Sequence, residues 1–173
     1  ITYNFGKKDA EEIQEDIIKS GGHCRILKIT INKSLQLNLP DYDFNQMFYF
    51  ASSKISQNKS SNFDNSMYKE FYRIYVQGFI NLVELSIQKN VKCVFYPSTV
   101  FIDESNQMFQ EYMKAKLEGE LFCKKINKES KIIILHPRLP KMLTDQTASL
   151  ISSDYSDVSK TIMPYLINMR DLS

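Results

Sequence analysis

The chain is short of several things, and each shortage closes off a class of function. Only two histidines are present, His23 and His136, so a histidine-based metal site is not expected. The three cysteines, Cys24, Cys93 and Cys123, are widely spaced among apolar neighbours. An odd count without a Cys-x-x-Cys pair argues against a disulfide framework and against zinc, and reads as reduced, buried thiols of a cytoplasmic protein. The net charge is only +2, with lysines scattered and not gathered in a run, which leaves no electrostatic case for nucleic acid. No apolar run approaches the roughly 18 residues of a membrane-spanning helix. Lys7, Lys8, Asp9, Glu11 and Glu12 interrupt any apolar stretch near the N-terminus, so no signal-peptide pattern is read there.

What is present is alternation. Ile1–Phe5 reads as a short strand, and Lys7–Ser20 as a helix with Ala10, Ile13, Ile17 and Ile18 on one face, stopped by Gly21-Gly22. His23–Ile31 and Asn45–Ala51 read as further strands, separated from the next helix by the polar loop Ser52–Ser66. Met67–Asn90 predicts a long helix with Phe71, Ile74, Tyr75, Phe79, Leu82, Val83 and Ile87 turned inward. Val91–Tyr96 and Lys131–Leu135 are apolar strand-forming runs on either side of a helix over Met108–Asn127, and Asp157–Asp171 closes the chain as a last helix. Buried strands alternating with amphipathic helices predict an α/β fold, a three-layer αβα sandwich around a parallel sheet. At 173 residues the chain is expected to form one domain.

One stretch within this pattern carries chemistry. The strand Val91–Tyr96 runs into Ser98-Thr99, and 14 residues past Ser98 the next helix carries Tyr112 and Lys116. A tyrosine and a lysine at i and i+4 share a helix face, about 6 Å apart along the axis. With 10 tyrosines in a lysine-rich chain, the pair alone arises easily by chance. Its weight comes from the order strand, serine, loop, tyrosine helix, strand, proline loop. A serine at a strand end can converge with such a phenol on one carbonyl oxygen, which is what protonating a ketone requires while hydride arrives on carbon. The ammonium is expected to make the phenol more acidic than its ordinary value near 10.

On these residues the chain resembles the short-chain dehydrogenase/reductase family, including the ketoreductases of polyketide and fatty-acid assembly. Ile1–Glu12 looks like that family's second strand and the helix after it, Ala51 falls in its Asn-Asn-Ala-Gly element, and Ser98, Tyr112 and Lys116 match its catalytic triad. The resemblance implies a Rossmann-like domain over residues 1–173 that begins at the second strand, with the glycine-rich phosphate turn upstream of Ile1. It implies Tyr112 as general acid, Ser98 as donor to the substrate oxygen, and Lys116 bonded to the nicotinamide ribose. Asn4, Ala51, Pro137 and Thr144 would complete a site for NADPH or NADH, with Lys7 and Lys8 near an adenosine 2′-phosphate. The substrate would be a small-molecule or carrier-bound ketone, with no nucleic acid or membrane as partner. The chain would form a homo-oligomer or belong to a larger polypeptide.

Two other readings stand beside this one. Tyr75, Pro97 and Arg138 depart from the family pattern, which motivates a non-catalytic domain that supports a neighbour; an epimerase or dehydratase using tightly held NAD shares the Tyr-Lys pair. Glu111 and Glu118–Glu120, which flank that pair, read as solvated helix-surface acids.

Overall fold

The computed structural model describes residues 1–31, 44–53, 62–104, 109–142 and 155–172. Contacts gather into two units, Ile1–Pro40 and Asp41–Ser173. In the first, β1 (Thr2–Tyr3) pairs in parallel with β2 (Leu27–Lys28), Thr2 opposite Leu27, and the crossover between them is α1 (Lys7–Lys19). The two strands are shorter than their sequence runs suggest. Ala10 is buried, and Gly21 takes the left-handed conformation that ends the helix, at φ 83°.

In the second unit β3 (Gln46–Phe48) lies beside β4 (Cys93–Phe95). Past β4 the chain forms the short β5 (Ser98–Thr99). The strand β6 (Ile133–Leu135) completes a parallel sheet of order β3-β4-β6, with Met47, Val94 and Ile134 in step. Beyond the carboxyl ends of β4 and β6, β5 pairs in parallel with β7 (Arg138–Leu139).

The crossover from β3 to β4 is one helical rod with a defect in it. It comprises α2 (Asn65–Tyr72), a wider π-turn over Arg73–Gly78, and α3 (Phe79–Gln88). It begins earlier than the apolar periodicity predicts because Asp64 caps it, accepting from the backbone N–H groups of Ser66 at 2.7 Å and Met67 at 3.2 Å. The π-turn displaces carbonyls from the regular ladder, and two buried phenols take them up. Tyr49 Oη donates to Ile74 O at 2.5 Å and Tyr96 Oη to Tyr75 O at 2.9 Å. Because a π-turn is one residue longer than an α-turn, it re-aims Tyr75 toward the carboxyl end of the sheet.

The next crossover is α4 (Gln110–Glu129), preceded by a short 3-10 turn over Val100–Ile102. The strand β4 is buried on both sides, and its alternation shows what covers each. Cys93 and Phe95 pack with Leu139 and with Met169 of α5 (Val158–Leu172). Tyr96 points to the other face, its ring 4.3 Å from that of Phe79 on α3 and against Gly119 of α4. A methyl group at Gly119 would overlap the Tyr96 hydroxyl, so glycine there is what lets α4 approach the sheet. Helices on both faces of a parallel sheet give this unit the three layers and Rossmann-like α/β architecture expected from the sequence. Among the described residues no helix is long and apolar enough to cross a membrane.

Candidate active site

A cavity of about 290 Å³ opens beyond the carboxyl edge of the sheet in the second unit. Its walls come from the segments that follow three strands: Phe50–Ser52 after β3, Pro97–Thr99 after β4, and Leu139–Met142 from β7 onward, with Tyr112 and Lys116 of α4 on its floor. In an open α/β sheet this is where ligands bind, because strand ends and loops converge there while the rest of the sheet is covered by helices.

Tyr112 and Lys116 do share one helix face and do line the same cavity. Their electrostatics differ from the sequence expectation. Both are buried, and burial penalises the charged form of each. Desolvation, reinforced by the neighbouring Tyr75, pushes the Tyr112 phenol well above its ordinary value, against a hydrogen bond from Thr99 that acts in the opposite direction. Desolvation lowers the Lys116 ammonium to about 7, with Cys123 and Glu120 opposing it. The expected acidification of the phenol by the ammonium is therefore reversed. The reason is that neither group meets enough water or opposite charge to support ionisation.

Lys116 is held in an aromatic cage. Its Nζ donates to Pro97 O at 2.6 Å and lies 4.2 Å from the ring centre of Tyr75, 4.8 Å from Tyr96 and 5.9 Å from Tyr112. Tyr75 also meets Tyr112 edge-on, ring centres 5.4 Å apart. The π-turn thus delivers Tyr75 to the site, and its sequence signal, one tyrosine among many on an inward helix face, could not have distinguished it from plain core.

The strand β5 puts its two hydroxyls to different uses, since successive side chains leave a strand on opposite sides. Ser98 Oγ donates to Glu120 Oε1 at 2.6 Å in the interior. The hydroxyl that meets the Tyr112 phenol belongs to Thr99, which also accepts from Phe101 N–H at 3.3 Å. Ser98 lines the cavity, but its donor is committed elsewhere. Thr99 was legible in principle, because any two consecutive strand residues offer one hydroxyl to each face.

The acids around the pair are not the solvated surface groups that the sequence suggested. Glu111 and Glu120 are both buried, at 1% and 2% exposure. Glu111 accepts from Asp64 N–H at 2.6 Å, tying the start of α4 to the cap of α2. Glu120 sits one turn beyond Lys116 and receives Arg138 in a two-point grip, Nε and Nη2 each at 2.8 Å. Burial alone would raise its carboxyl; the guanidinium and the Ser98 hydroxyl outweigh that and hold it below the ordinary carboxylate range. Arg138 also grips Asp103, at the end of the 3-10 turn. Glu118 is the half-exposed member, accepting from Tyr68 Oη at 2.6 Å.

The remaining expected residues are dispersed. Ala51 lines the cavity; Pro137 does not, its carbonyl accepting from Ser98 N–H at 2.8 Å. Thr144 lies outside the described residues. Asn4 belongs to the first unit, where its Oδ1 accepts from Thr30 Oγ1 at 3.2 Å, and Lys7 and Lys8 there form exposed pairs with Glu11 and Glu12.

No family model matches the chain, and no curated protein matches it. Solved structures do. FolM alternative dihydrofolate reductase 1 from Brucella suis, in complex with NADP, is 14% identical, with a TM-score of 0.69 over 82% of this chain and 61% of that one. The Brucella canis counterpart, also complexed with NADP, is 13% identical, with a TM-score of 0.78 over 98% of this chain and 76% of that one. A short-chain dehydrogenase from Sphingobium yanoikuyae in complex with NADPH is 10% identical, with a TM-score of 0.77 over 99% and 74%. The chain therefore spans 61% of the first of these proteins and about three quarters of the other two, and its fold is that of short-chain dehydrogenases/reductases.

Proposed function

We propose that the chain is an NAD(P)H-dependent oxidoreductase that reduces a ketone to an alcohol, with Tyr112 as general acid. The observation that carries this reading is the joint exposure of Tyr112, Lys116 and Thr99 to one cavity at the carboxyl edge of the sheet. The solved structures of the same fold that hold NADP or NADPH support the choice of cofactor. The residues present fit the nicotinamide–ribose end of such a molecule: Ala51 provides a small side chain in the cavity wall, and Lys116 provides an ammonium there. The same reading assigns Asn4, Pro137 and Thr144 to cofactor binding. The 173 residues contain no Gly-x-Gly-x-x-Gly turn.

A bound reduced nicotinamide would supply the hydride. The chain's own residues supply the proton and stabilise what its departure leaves behind. Because burial keeps the Tyr112 phenol protonated throughout the working range, it is ready to donate as negative charge builds on the carbonyl oxygen. Thr99 then stabilises the resulting phenolate by hydrogen bonding, and protonated Lys116 stabilises it by its charge. Ser98, bound to Glu120, holds β5 in place so that Thr99 faces Tyr112. Lys116 must be charged for this role, so reduction should weaken as pH rises through about 7.

The test is NADPH oxidation by the purified protein with aromatic ketones, alongside Tyr112→Phe. The phenol's removal should lower kcat by about 10²–10⁴-fold. Undiminished turnover in that variant would refute the assignment. A second reading is favoured by one observation, the sealing of Lys116 between Tyr75 and the Pro97 carbonyl: a non-catalytic domain that serves a neighbouring domain in a larger synthase. Nucleotide titration separates the two, since micromolar NADPH binding counts against the inert domain.

A further inference from the structure

The cavity has a polarity that the proposed reaction does not use. Among the described residues, apolar side chains, Phe50, Phe101, Leu139 and Met142 among them, make most of its wall, and no Asp or Glu lines it. The two charged residues among the described lining are both lysines. Lys116 sits on the floor, caged and short of charge. Lys141 is half-exposed, on the wall formed by the segment after β7. Its backbone is pinned: Lys141 O accepts from Ser156 N–H at 2.9 Å, next to a parallel bridge between Met142 and Ser156. Its ammonium rests over the Phe101 ring, 5.2 Å from the centre, and that ring is stacked on Phe109 at 5.0 Å.

Asp103, just after the 3-10 turn that carries Phe101, and Glu120 of α4 are both gripped by Arg138. Among the described residues Lys141 has an aromatic ring, and no carboxylate, for a partner. A cation over an aromatic face at a cavity wall keeps its stem packed and its charge available, and it attracts an anion that arrives with apolar surface attached.

We propose that the cavity takes a carbonyl compound with an apolar body and one anionic group, a carboxylate or phosphate, and that Lys141 holds the anion. This rests on the ketone-reducing reading for the carbonyl but not for the anion, and the experiment keeps the two apart. Calorimetric binding of 4-acetylbenzoate and of its methyl ester would be compared for the wild type, Lys141→Met and Lys141→Arg, with NADPH oxidation followed in parallel. The expected result is that the wild type binds the acid about tenfold more tightly than the ester, an advantage that shrinks with added salt. Lys141→Met should abolish that preference and leave the ester unchanged, while Lys141→Arg should keep it. If the acid binds in this Lys141-dependent way but is not reduced, the anion site stands and the reductase reading fails. Equal binding of acid and ester by the wild type, or no binding of either at millimolar concentration, would overturn the proposal. So would a Lys141→Met variant that weakens NADPH binding and leaves the acid preference intact, because the anion would then be the cofactor's phosphate.

Discussion

Lys116 and Arg138 are two cations at the same sheet edge, and they meet opposite fates. Lys116 is buried among three tyrosine rings with one backbone carbonyl for a partner, and its ammonium is brought down to about 7. Arg138 is gripped by Glu120 and Asp103, and the hydrogen bonds it donates to Glu120 strengthen its hold on the proton further. Only one helical turn separates Lys116 from the carboxylate that Arg138 uses. The contrast shows that burial alone does not decide ionisation; burial without a counter-charge does. A guanidinium that cannot give up its proton holds the Glu120 carboxylate here, and an amine that can do so lines the cavity.

The largest effect should come from breaking the paired cation. Arg138→Met strands the Glu120 carboxylate in the interior, which should cost about 3–5 kcal/mol in a denaturant melt. Replacing both partners, Arg138→Met with Glu120→Leu, should recover most of that loss, because no buried charge is then left alone. A double variant as unstable as the single one would show that the grip on Asp103, and not Glu120, matters.

The unpaired cation should behave in the opposite way. Lys116→Met, similar in shape and without charge, should be more stable than the wild type at pH 7 by roughly 2–4 kcal/mol, although inactive. The folded-state value of Lys116 is depressed from 10.5 to about 7. Between those two pH values the unfolded chain holds the proton that the folded chain has released. Wild-type stability should therefore climb with pH across that window, by up to about 1.4 kcal/mol per unit, and Lys116→Met should lack this slope. Above pH 10 the buried Tyr112 reverses the trend, because its phenol ionises only on unfolding. Melts from pH 6 to 11 read both limbs, and an unchanged slope in the variant would mean that Lys116 is hydrated.

The smallest effects should separate the two hydroxyls of β5. Ser98→Ala removes a hydrogen bond to a buried carboxylate and should cost roughly 1.5–3 kcal/mol of stability, with little change in turnover of what remains folded. Thr99→Val removes the acceptor of the buried Phe101 N–H and should cost about 1–2 kcal/mol of stability, and it should lower kcat by about tenfold through the loss of one hydrogen bond to the phenol. The reverse pattern would return the donor role to Ser98.

The sequence by itself determined the order of elements, the parallel sheet and the helix that presents Tyr112 and Lys116 together, because these follow from short-range periodicity: two residues in a strand, 3.6 in a helix. Those rules cannot tell which of two adjacent hydroxyls faces the helix or which acids are buried. Ser98 and Thr99 read alike in a line of text, and Glu120 reads like any surface glutamate. Only the tertiary structure decided these points. It placed Arg138, 18 residues beyond Glu120, against that carboxylate, re-aimed Tyr75 onto Lys116 through a π-turn, and removed water from around the tyrosine–lysine pair. Ionisation depends on the dielectric and the charges within a few ångströms, and those neighbours come from strands and helices far apart in the chain.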